Sequence, residues 1–213
     1  MIQINGWSFP DFDHHLSSKA GDFPFTVYQQ ASIDLAFTET RHFNQAVDIG
    51  ANVGLHSVRF AQKFKEVISF EPTTFNFGCL QNNCSTFNNV RLENCGLGEI
   101  AETSVISIPK GNDNCGAFSI VDFKDHPTEL IQESIVIKTL DSFNLSPDLI
   151  KIDTQGYEMN VLRGAVNTIK QHKPTFLIEC EYKKQFREVD TFLIQFGYRL
   201  VGSIKKDKVW VAK

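Results

Sequence analysis

The sequence predicts an α/β fold in which helices cover both faces of a mostly parallel β-sheet. Short apolar runs that suit buried strands alternate along the chain with segments whose apolar residues recur at helical spacing. The last two apolar runs lie too close together to be joined by a crossover helix. We therefore expect them to form an antiparallel hairpin at the end of the sheet.

The 213 residues, 42% of them hydrophobic, suit one domain with a substantial core. We predict a single domain over 1–213. Within it, residues 1–43 form an irregular, aromatic-rich N-terminal cover and a leading helix. Residues 97–138 interrupt the strand–helix alternation, and we expect them to add strands and a polar loop, 111–119, on the substrate side.

The predicted elements follow from these patterns in chain order. Strands are expected where apolar and β-branched residues cluster, at 45–49, 67–70, 90–94, 105–108, 134–137, 148–153, 175–179, 198–204 and 208–211. Helices are expected where apolar residues recur every three to four positions, at about 27–41, 55–64, 73–87, 155–170 and 186–196.

Composition excludes several classes of protein. The formal net charge of −4 and the lack of a basic run argue against a nucleic-acid partner held mainly by its phosphates. No apolar stretch approaches the roughly 18 residues of a membrane span. The first residues do not resemble a signal peptide, and the five cysteines contain no CxxC pair, so we expect a cytoplasmic protein with reduced cysteines.

The first strand, Gln45–Ile49, ends in a turn that contains Gly50, Ala51, Asn52 and Gly54. Glycine and asparagine tolerate left-handed backbone angles, and such a turn before a helix allows a nucleotide-like ligand to approach the backbone. Asp48 precedes the turn. Its carboxylate would repel a pyrophosphate and would suit a cationic ligand such as S-adenosylmethionine.

Glu71 follows the second strand, 23 positions after Asp48. An acid at this point can accept hydrogen bonds from both hydroxyls of a ribose. Asn94, at the end of the third strand, is a candidate for contact with an adenine edge, although an ordinary strand-to-loop turn explains it equally well.

These motifs together resemble the FkbM-type family of S-adenosylmethionine-dependent methyltransferases. The likeness rests first on Val47–Gly54 and on Phe70-Glu71-Pro72. It continues through Thr139–Asp141, Ile150–Asp153, Gly156–Glu158, Val161–Ala165 and Pro174–Glu179. It covers roughly residues 44 to 181, with one departure at Gln155, where the family often has Glu.

The resemblance implies a Rossmann-like class I methyltransferase sheet, with S-adenosyl-L-methionine as the cofactor. Its binding residues would be Asp48, Gly50, Ala51, Asn52, Gly54, Glu71, Pro72 and Asn94. By analogy with the family, the acceptor would be a hydroxyl of a sugar or another small molecule.

Three ionisable residues at the ends of later strands are the catalytic candidates. A lysine inside a central strand needs a partner, and Asp153 is the nearest acid to Lys151 on the same face of that strand. The two form either a structural ion pair or a base, Asp153, kept ionised by Lys151. Glu179 ends the adjacent strand and could be the base itself. We predict no metal site because no third ligand is evident beside Asp153 and Glu179.

Two other functions fit parts of the sequence pattern but are disfavoured by particular residues. A nicotinamide-dependent oxidoreductase is disfavoured because a G-x-G-x-x-G turn would need glycine where the chain has Asn52 and Leu55. A catalytically silent interaction domain is disfavoured because Asp48, Glu71 and Lys151 are all present.

Overall fold

The computed structural model describes residues 1–24, 27–109, 114, 116 and 130–213. Its strands are β1 Ile2–Ile4, β2 Trp7–Phe9, β3 Gln45–Ile49, β4 Glu66–Phe70, β5 Val90–Glu93, β6 Gly96–Leu97, β7 Glu102–Pro109, β8 Leu130–Lys138, β9 Leu149–Ile152, β10 Thr175–Glu179, β11 Tyr198–Ile204 and β12 Asp207–Ala212. Its α-helices are α1 Gln30–Glu39, α2 Leu55–Ala61, α3 Thr74–Cys84, α4 Glu158–Arg163, α5 Val166–His172 and α6 Lys183–Gln195.

The central sheet has seven strands in the order β11-β12-β10-β9-β3-β4-β5. The five strands from β10 to β5 are parallel, and β12 pairs antiparallel with both β10 and β11. This confirms the predicted mostly parallel sheet with a C-terminal antiparallel hairpin. The chain leaves β3 for β4 on one side and returns to β9 on the other, which places a ligand crevice at the carboxyl ends of β3 and β9.

Side chains of the central strands alternate between hydrophobic clusters on the two faces of the sheet. Ile49 and Ile152 pack toward α4, α5 and α6, whereas Ala46 and Leu149 pack toward α1 and α2. Asp48 and Lys151 belong to the second face by the same alternation. Each core therefore uses every other residue of a strand, which is why these central strands read as continuous apolar runs.

Helices α4 and α5 correct the prediction of one helix over 155–170. The break falls at Gly164–Ala165, where an added Cβ at Gly164 would lie 1.9 Å from the Gly98 carbonyl oxygen. Asp141 then caps the second helix, since its carboxylate accepts hydrogen bonds from the Asn167 and Thr168 amides at 2.9 and 2.8 Å. Apolar spacing continues across this break, so periodicity could not reveal it.

The N-terminal segment is more regular than expected. Residues 2–9 form an antiparallel hairpin, β1 and β2, instead of an irregular cover, with Ile4 paired to Trp7 across Asn5 and Gly6. The hairpin packs on α3, and Asn83 joins them by accepting from the Ser8 amide at 2.7 Å. The predicted leading helix is present as α1, but it begins at Gln30 rather than at Val27.

Among the described residues, strands β6, β7 and β8 form a second, three-stranded sheet in the order β6-β8-β7. The predicted strands 105–108 and 134–137 are confirmed inside β7 and β8, which pair antiparallel from Glu102↔Ile137 to Pro109↔Leu130. The predicted loop 111–119 lies outside the described residues except for Asn114 and Gly116.

Cys79, Cys84, Cys95 and Cys180 are buried and free of disulfides, and Cys115 lies outside the described residues. Burial raises the pKa of each of these four thiols. Across the described part of the chain, each helix is too short or too polar to cross a membrane.

Candidate active site

A cavity of about 920 Å³ opens at the carboxyl ends of β3, β4, β9 and β10. The turns after these strands form its base. One wall comes from residues 15, 16, 19 and 27–32 of the N-terminal segment, and another from residues 204–207 at the turn between β11 and β12. The cavity therefore lies where the order of the parallel strands reverses, the usual position of ligands in open α/β sheets.

The turn after β3 depends on glycine for a steric reason. Gly50 has φ 71°, and a Cβ added there would lie 1.9 Å from the Asp153 carbonyl oxygen. The amides of Gly50 and Ala51 both donate to the Phe70 carbonyl, at 3.0 and 2.9 Å. Gly50, Ala51 and Asn52 line the cavity.

Gly54 has a different role from the other residues of the turn. It starts α2 with φ 93°, and an added Cβ would lie 2.7 Å from Leu80 Cδ1. It faces α3 and is not among the residues that line the cavity. Gly54 therefore allows helix packing, while Gly50 allows the approach of two loops.

Glu71 lines the cavity beside Pro72 and is 5% exposed. Its carboxylate accepts from the Asn52 amide at 2.9 Å, the Thr73 amide at 3.0 Å and the Thr73 hydroxyl at 2.6 Å. Burial raises the pKa of Glu71, and these three donors oppose that rise. Glu71 therefore joins the turn after β3 to the start of α3.

Asn94 supports Glu71 through the backbone. Its side-chain amide donates to the carbonyls of Glu71 and Pro72, at 2.9 and 3.1 Å. The cavity wall next to it is formed by Cys95, Gly96 and Leu97 rather than by Asn94. The proposed contact between Asn94 and an adenine edge stays a prediction.

Asp48 and Lys151 form a buried ion pair across neighbouring strands. Asp48 is 0% and Lys151 5% exposed, and Lys151 Nζ lies 3.2 Å from Asp48 Oδ1. Asp48 Oδ2 also accepts from the Ser57 hydroxyl at 2.6 Å. Burial disfavours the charge on Lys151, but the carboxylates of Asp48 and Asp153 outweigh this effect and raise its pKa.

The prediction that Asp153 is the nearest partner of Lys151 was wrong. Asp153 Oδ2 lies 3.8 Å from Lys151 Nζ, farther than Asp48. Asp48 and Lys151 are register partners in the β3–β9 pair, and neighbouring strands are closer than residues i and i+2 along one strand. The ammonium also donates to the Gly50 carbonyl at 2.8 Å, which ties the glycine turn to β9.

Asp153 and Glu179 meet at the floor of the cavity, as their positions after adjacent strands predicted. Gln155 Nε2 donates to both, to Asp153 Oδ1 at 2.7 Å and to Glu179 Oε2 at 3.1 Å. Burial and then the Asp153 carboxylate raise the pKa of Glu179 to about 8. Sequence analysis noted Gln155 only as a departure from the family resemblance, which often has Glu at this position, and did not include it among the site residues.

Glu158 holds the turn that presents Gln155. It is 1% exposed and accepts from the amides of Thr154 and Gly156, at 2.9 and 3.1 Å. Gln185 of α6 donates to its other oxygen. Burial raises the pKa of Glu158, and the backbone donors oppose this. Gln155 itself has φ 53°, a left-handed conformation that a non-glycine residue adopts only with support.

His56 lines the cavity and is held as a neutral imidazole. Burial, with Lys151 nearby, lowers its pKa to about 3. Its Nε2 lies 2.6 Å from Gln29 Oε1, so this nitrogen carries the proton, and its ring stacks on Tyr28. Sequence analysis did not nominate His56 because a lone histidine carries no partner in its local sequence.

The described residues contain no group of three or more His, Cys, Asp or Glu side chains placed to hold a metal ion. The base of the cavity instead combines one buried ammonium, three carboxylates and a neutral imidazole. Together these can hold a polar, partly cationic ligand and accept a proton from a bound hydroxyl.

Comparison with known proteins agrees with this geometry. A family model described as the methyltransferase FkbM domain matches residues 48–200. "Methyltransferase 1" of Beauveria bassiana (strain ARSEF 2860) is 30% identical over 177 residues, with 71% of each chain covered.

Solved structures show the same fold. A methyltransferase FkbM from Methylobacillus flagellatus KT aligns with TM-score 0.58 and 21% identity, over 79% of this chain and 43% of that one. This chain therefore spans less than half of that protein's length. A precorrin-6y C5,15-methyltransferase from Geobacter metallireducens GS-15 aligns with TM-score 0.53 and 12% identity, over 91% and 92% of the two chains.

Proposed function

The chain belongs to the methyltransferase FkbM domain family, and from this premise we propose that it uses S-adenosylmethionine to methylate an oxygen of a sugar or another small molecule. The observation that carries the proposal is the convergence of the Gly50 turn and the Glu71 carboxylate in one cavity of about 920 Å³. A cofactor of nucleoside size needs both a close backbone approach and an acceptor for its ribose hydroxyls.

The residues of the cavity fit this cofactor in several respects. Gly50 lets the first turn lie directly against the Asp153 backbone, and the residues of this turn line the cavity. Glu71 uses three of the roughly four acceptor sites of a carboxylate, which leaves room for about one hydroxyl donor. Cys95, Gly96 and Leu97 provide a partly apolar part of the cavity lining that suits a purine.

Asp48 holds the cofactor indirectly in this proposal. Because its carboxylate is paired with Lys151 and does not line the cavity, it cannot meet a cationic ligand in the way the sequence suggested. Instead it fixes Lys151, and Lys151 fixes the Gly50 carbonyl at the edge of the cavity. The negative charge that faces a sulfonium or ammonium then comes from Asp153, which lines the cavity together with Glu179.

When bound, S-adenosylmethionine supplies a methyl group on a positively charged sulfur, and a hydroxyl that accepts it must give up its proton. Asp153 is the base in our proposal, since its side chain is 22% exposed and lies at the cavity floor. The Lys151 ammonium lies 3.8 Å from the Asp153 carboxylate, and Gln155 links Asp153 to Glu179 at the end of β10. We further propose that the protein acts in the cytoplasm and not on nucleic acid, in keeping with its free buried cysteines and net charge of −4.

A thermal-shift experiment with S-adenosylhomocysteine tests the cofactor. A ligand at about 100 times its Kd stabilises the native state by about 2.7 kcal/mol, so the melting temperature of the wild type should rise. Glu71→Ala should lose most of this rise, whereas Glu188→Ala, on the exposed face of α6, should keep it. An unchanged melting temperature of the wild type at saturating ligand would contradict the proposal. NADH binding in its place would favour an oxidoreductase.

The reaction itself is tested with S-adenosylmethionine labelled in its methyl group and a panel of hydroxyl, amine and carboxylate acceptors. We expect label only in products in which a hydroxyl of the acceptor has become a methyl ether. Label on nitrogen would overturn the oxygen assignment while leaving the cofactor assignment intact.

A further inference from the structure

Two carboxylates and one amide lie close together at the cavity floor, on two different segments of the chain. Asp153 follows β9, Glu179 ends β10, and Gln155 stands in the turn before α4. The amide nitrogen of Gln155 donates to one oxygen of each acid, at 2.7 and 3.1 Å. Two ionised carboxylates this close would repel each other strongly, whereas a pair that holds one proton is stable.

We propose that Gln155 is a positioning residue that holds Asp153 and Glu179 as a pair sharing one proton, so that the pair presents a single negative charge to the acceptor hydroxyl. The inference rests on the proposed function and goes beyond it. It selects a neutral hydroxyl as the reacting group, because a carboxylate or phosphate at this point would meet an anion.

The charged groups around Asp153 and Glu179 favour one net negative charge on this pair. Lys151 lies 3.8 Å from Asp153 but is already paired with Asp48 at 3.2 Å, so it neutralises Asp153 only in part. Near Glu179, the Lys206 ammonium favours ionisation, and the Asp207 carboxylate opposes it. Lys206 is itself paired with Glu181 at 2.6 Å, so its effect on Glu179 is reduced.

The raised pKa of Glu179 agrees with a single negative charge on the pair. Burial and the Asp153 carboxylate raise the pKa of Glu179 to about 8, so Glu179 keeps a proton at neutral pH. The Gln155 amide can give a hydrogen bond to each acid but cannot take a negative charge. A turn with Gln155 at φ 53°, fixed by the buried Glu158, keeps this amide between the two acids.

The test compares two ligands that differ in charge at the methyl position. S-adenosylhomocysteine is neutral there, whereas sinefungin carries an amine-bearing carbon in place of the methylsulfonium. We measure both dissociation constants by calorimetry between about pH 6 and about pH 9. In the wild type, the preference for sinefungin should increase about tenfold as the second carboxylate ionises near the top of this range.

Variants separate the pair from other titrating groups, including the amine of sinefungin. Glu179→Gln keeps the neutral form of the side chain, so the preference at pH 7 should persist and the alkaline increase should disappear. Glu188→Gln, on exposed α6, should behave like the wild type. Gln155→Leu removes the donor to both acids, so the increase should move to higher pH. Gln155→Glu adds a carboxylate and should raise the preference at pH 7 as well.

A merely structural role for Gln155 would change both affinities together and leave their ratio and its pH dependence unaltered. A wild-type ratio that is flat over this range, or an alkaline increase that survives in Glu179→Gln, would overturn the shared proton. These two measurements suffice if the Gln155 variants do not fold. If S-adenosylhomocysteine binds and only the ratio is flat, this inference fails alone. If neither ligand binds, the proposed function fails first.

Discussion

Removal of Lys151 should destabilise the protein by about 3–5 kcal/mol, because it leaves the Asp48 carboxylate buried without its counter-ion. The pair is separated by 3.2 Å and is 0% and 5% exposed, so solvent screens it little. At this distance, an effective dielectric constant of about 20 gives an attraction of about 5 kcal/mol. The Ser57 hydroxyl still serves the other oxygen of Asp48, which lowers the expected loss.

The perturbation is Lys151→Met, which preserves most of the apolar length of the side chain. Urea denaturation at pH 7 gives the free energy of unfolding, and the melting temperature should fall by about 6–20 °C for a chain of this size. Lys170→Met, on the exposed face of α5, is the matched control and should change stability by less than about 0.5 kcal/mol.

A double-mutant cycle isolates the pair. Asp48→Asn removes the charge and keeps an acceptor for Ser57, so Asp48→Asn/Lys151→Met should be at least about 2 kcal/mol more stable than Lys151→Met alone. The reasoning fails if the two single losses add within about 0.5 kcal/mol, because the charges would then contribute independently.

Three further predictions concern the turn and the titrating groups. Gly50→Ala should lower the free energy of unfolding by about 3 kcal/mol or more and abolish binding of S-adenosylhomocysteine, because the new Cβ would lie 1.9 Å from the Asp153 carbonyl oxygen. The control is Gly197→Ala, at φ 80° with open space around it, which should lower the free energy of unfolding in urea by only about 1–2 kcal/mol. His56 has a pKa of about 3 in the folded state against 6.5 in the unfolded state, so between these pH values the unfolded chain binds one more proton. The free energy of unfolding should therefore fall as the pH drops from 6.5 toward 3. Denaturation of His56→Gln across this range should show a smaller fall. Glu179 has a pKa raised from 4.5 to about 8, so its stabilising contribution should be lost as pH rises through this range, and Glu179→Gln should unfold with a flatter pH profile there.

Much of the sheet could be predicted because its central strands are buried on both faces. Short, largely apolar runs such as Ala46–Ile49, which only Asp48 interrupts, and Phe176–Ile178 are rich in branched and aromatic residues and are bounded by turns. The closing hairpin followed from the short distance between its strands. Sequence patterns of this kind depend on local burial, which is why they identify strands well.

Features that depend on distant contacts could not be predicted in the same way. The break before α5 follows from the approach of Gly164 to Gly98, which lies far earlier in the chain. The partner of Lys151 is set by strand register, and the bridge from Gln155 to Glu179 joins residues on two strand ends. The turn after β3 was found from its glycines, whereas the side chains around Asp153 became evident only from the fold.

One amide couples the N-terminal hairpin to the first turn of the cavity. Asn83 on α3 binds both the amide and the carbonyl of Ser8, and it also donates to the Val53 carbonyl at 2.7 Å. Engineering that grafts or trims only the region matched by the family model, 48–200, would discard Ser8 together with the cavity wall formed by residues 15, 16, 19 and 27–32. A functional graft must therefore be longer than the region matched by the family model and must include β1 and β2 together with the cavity.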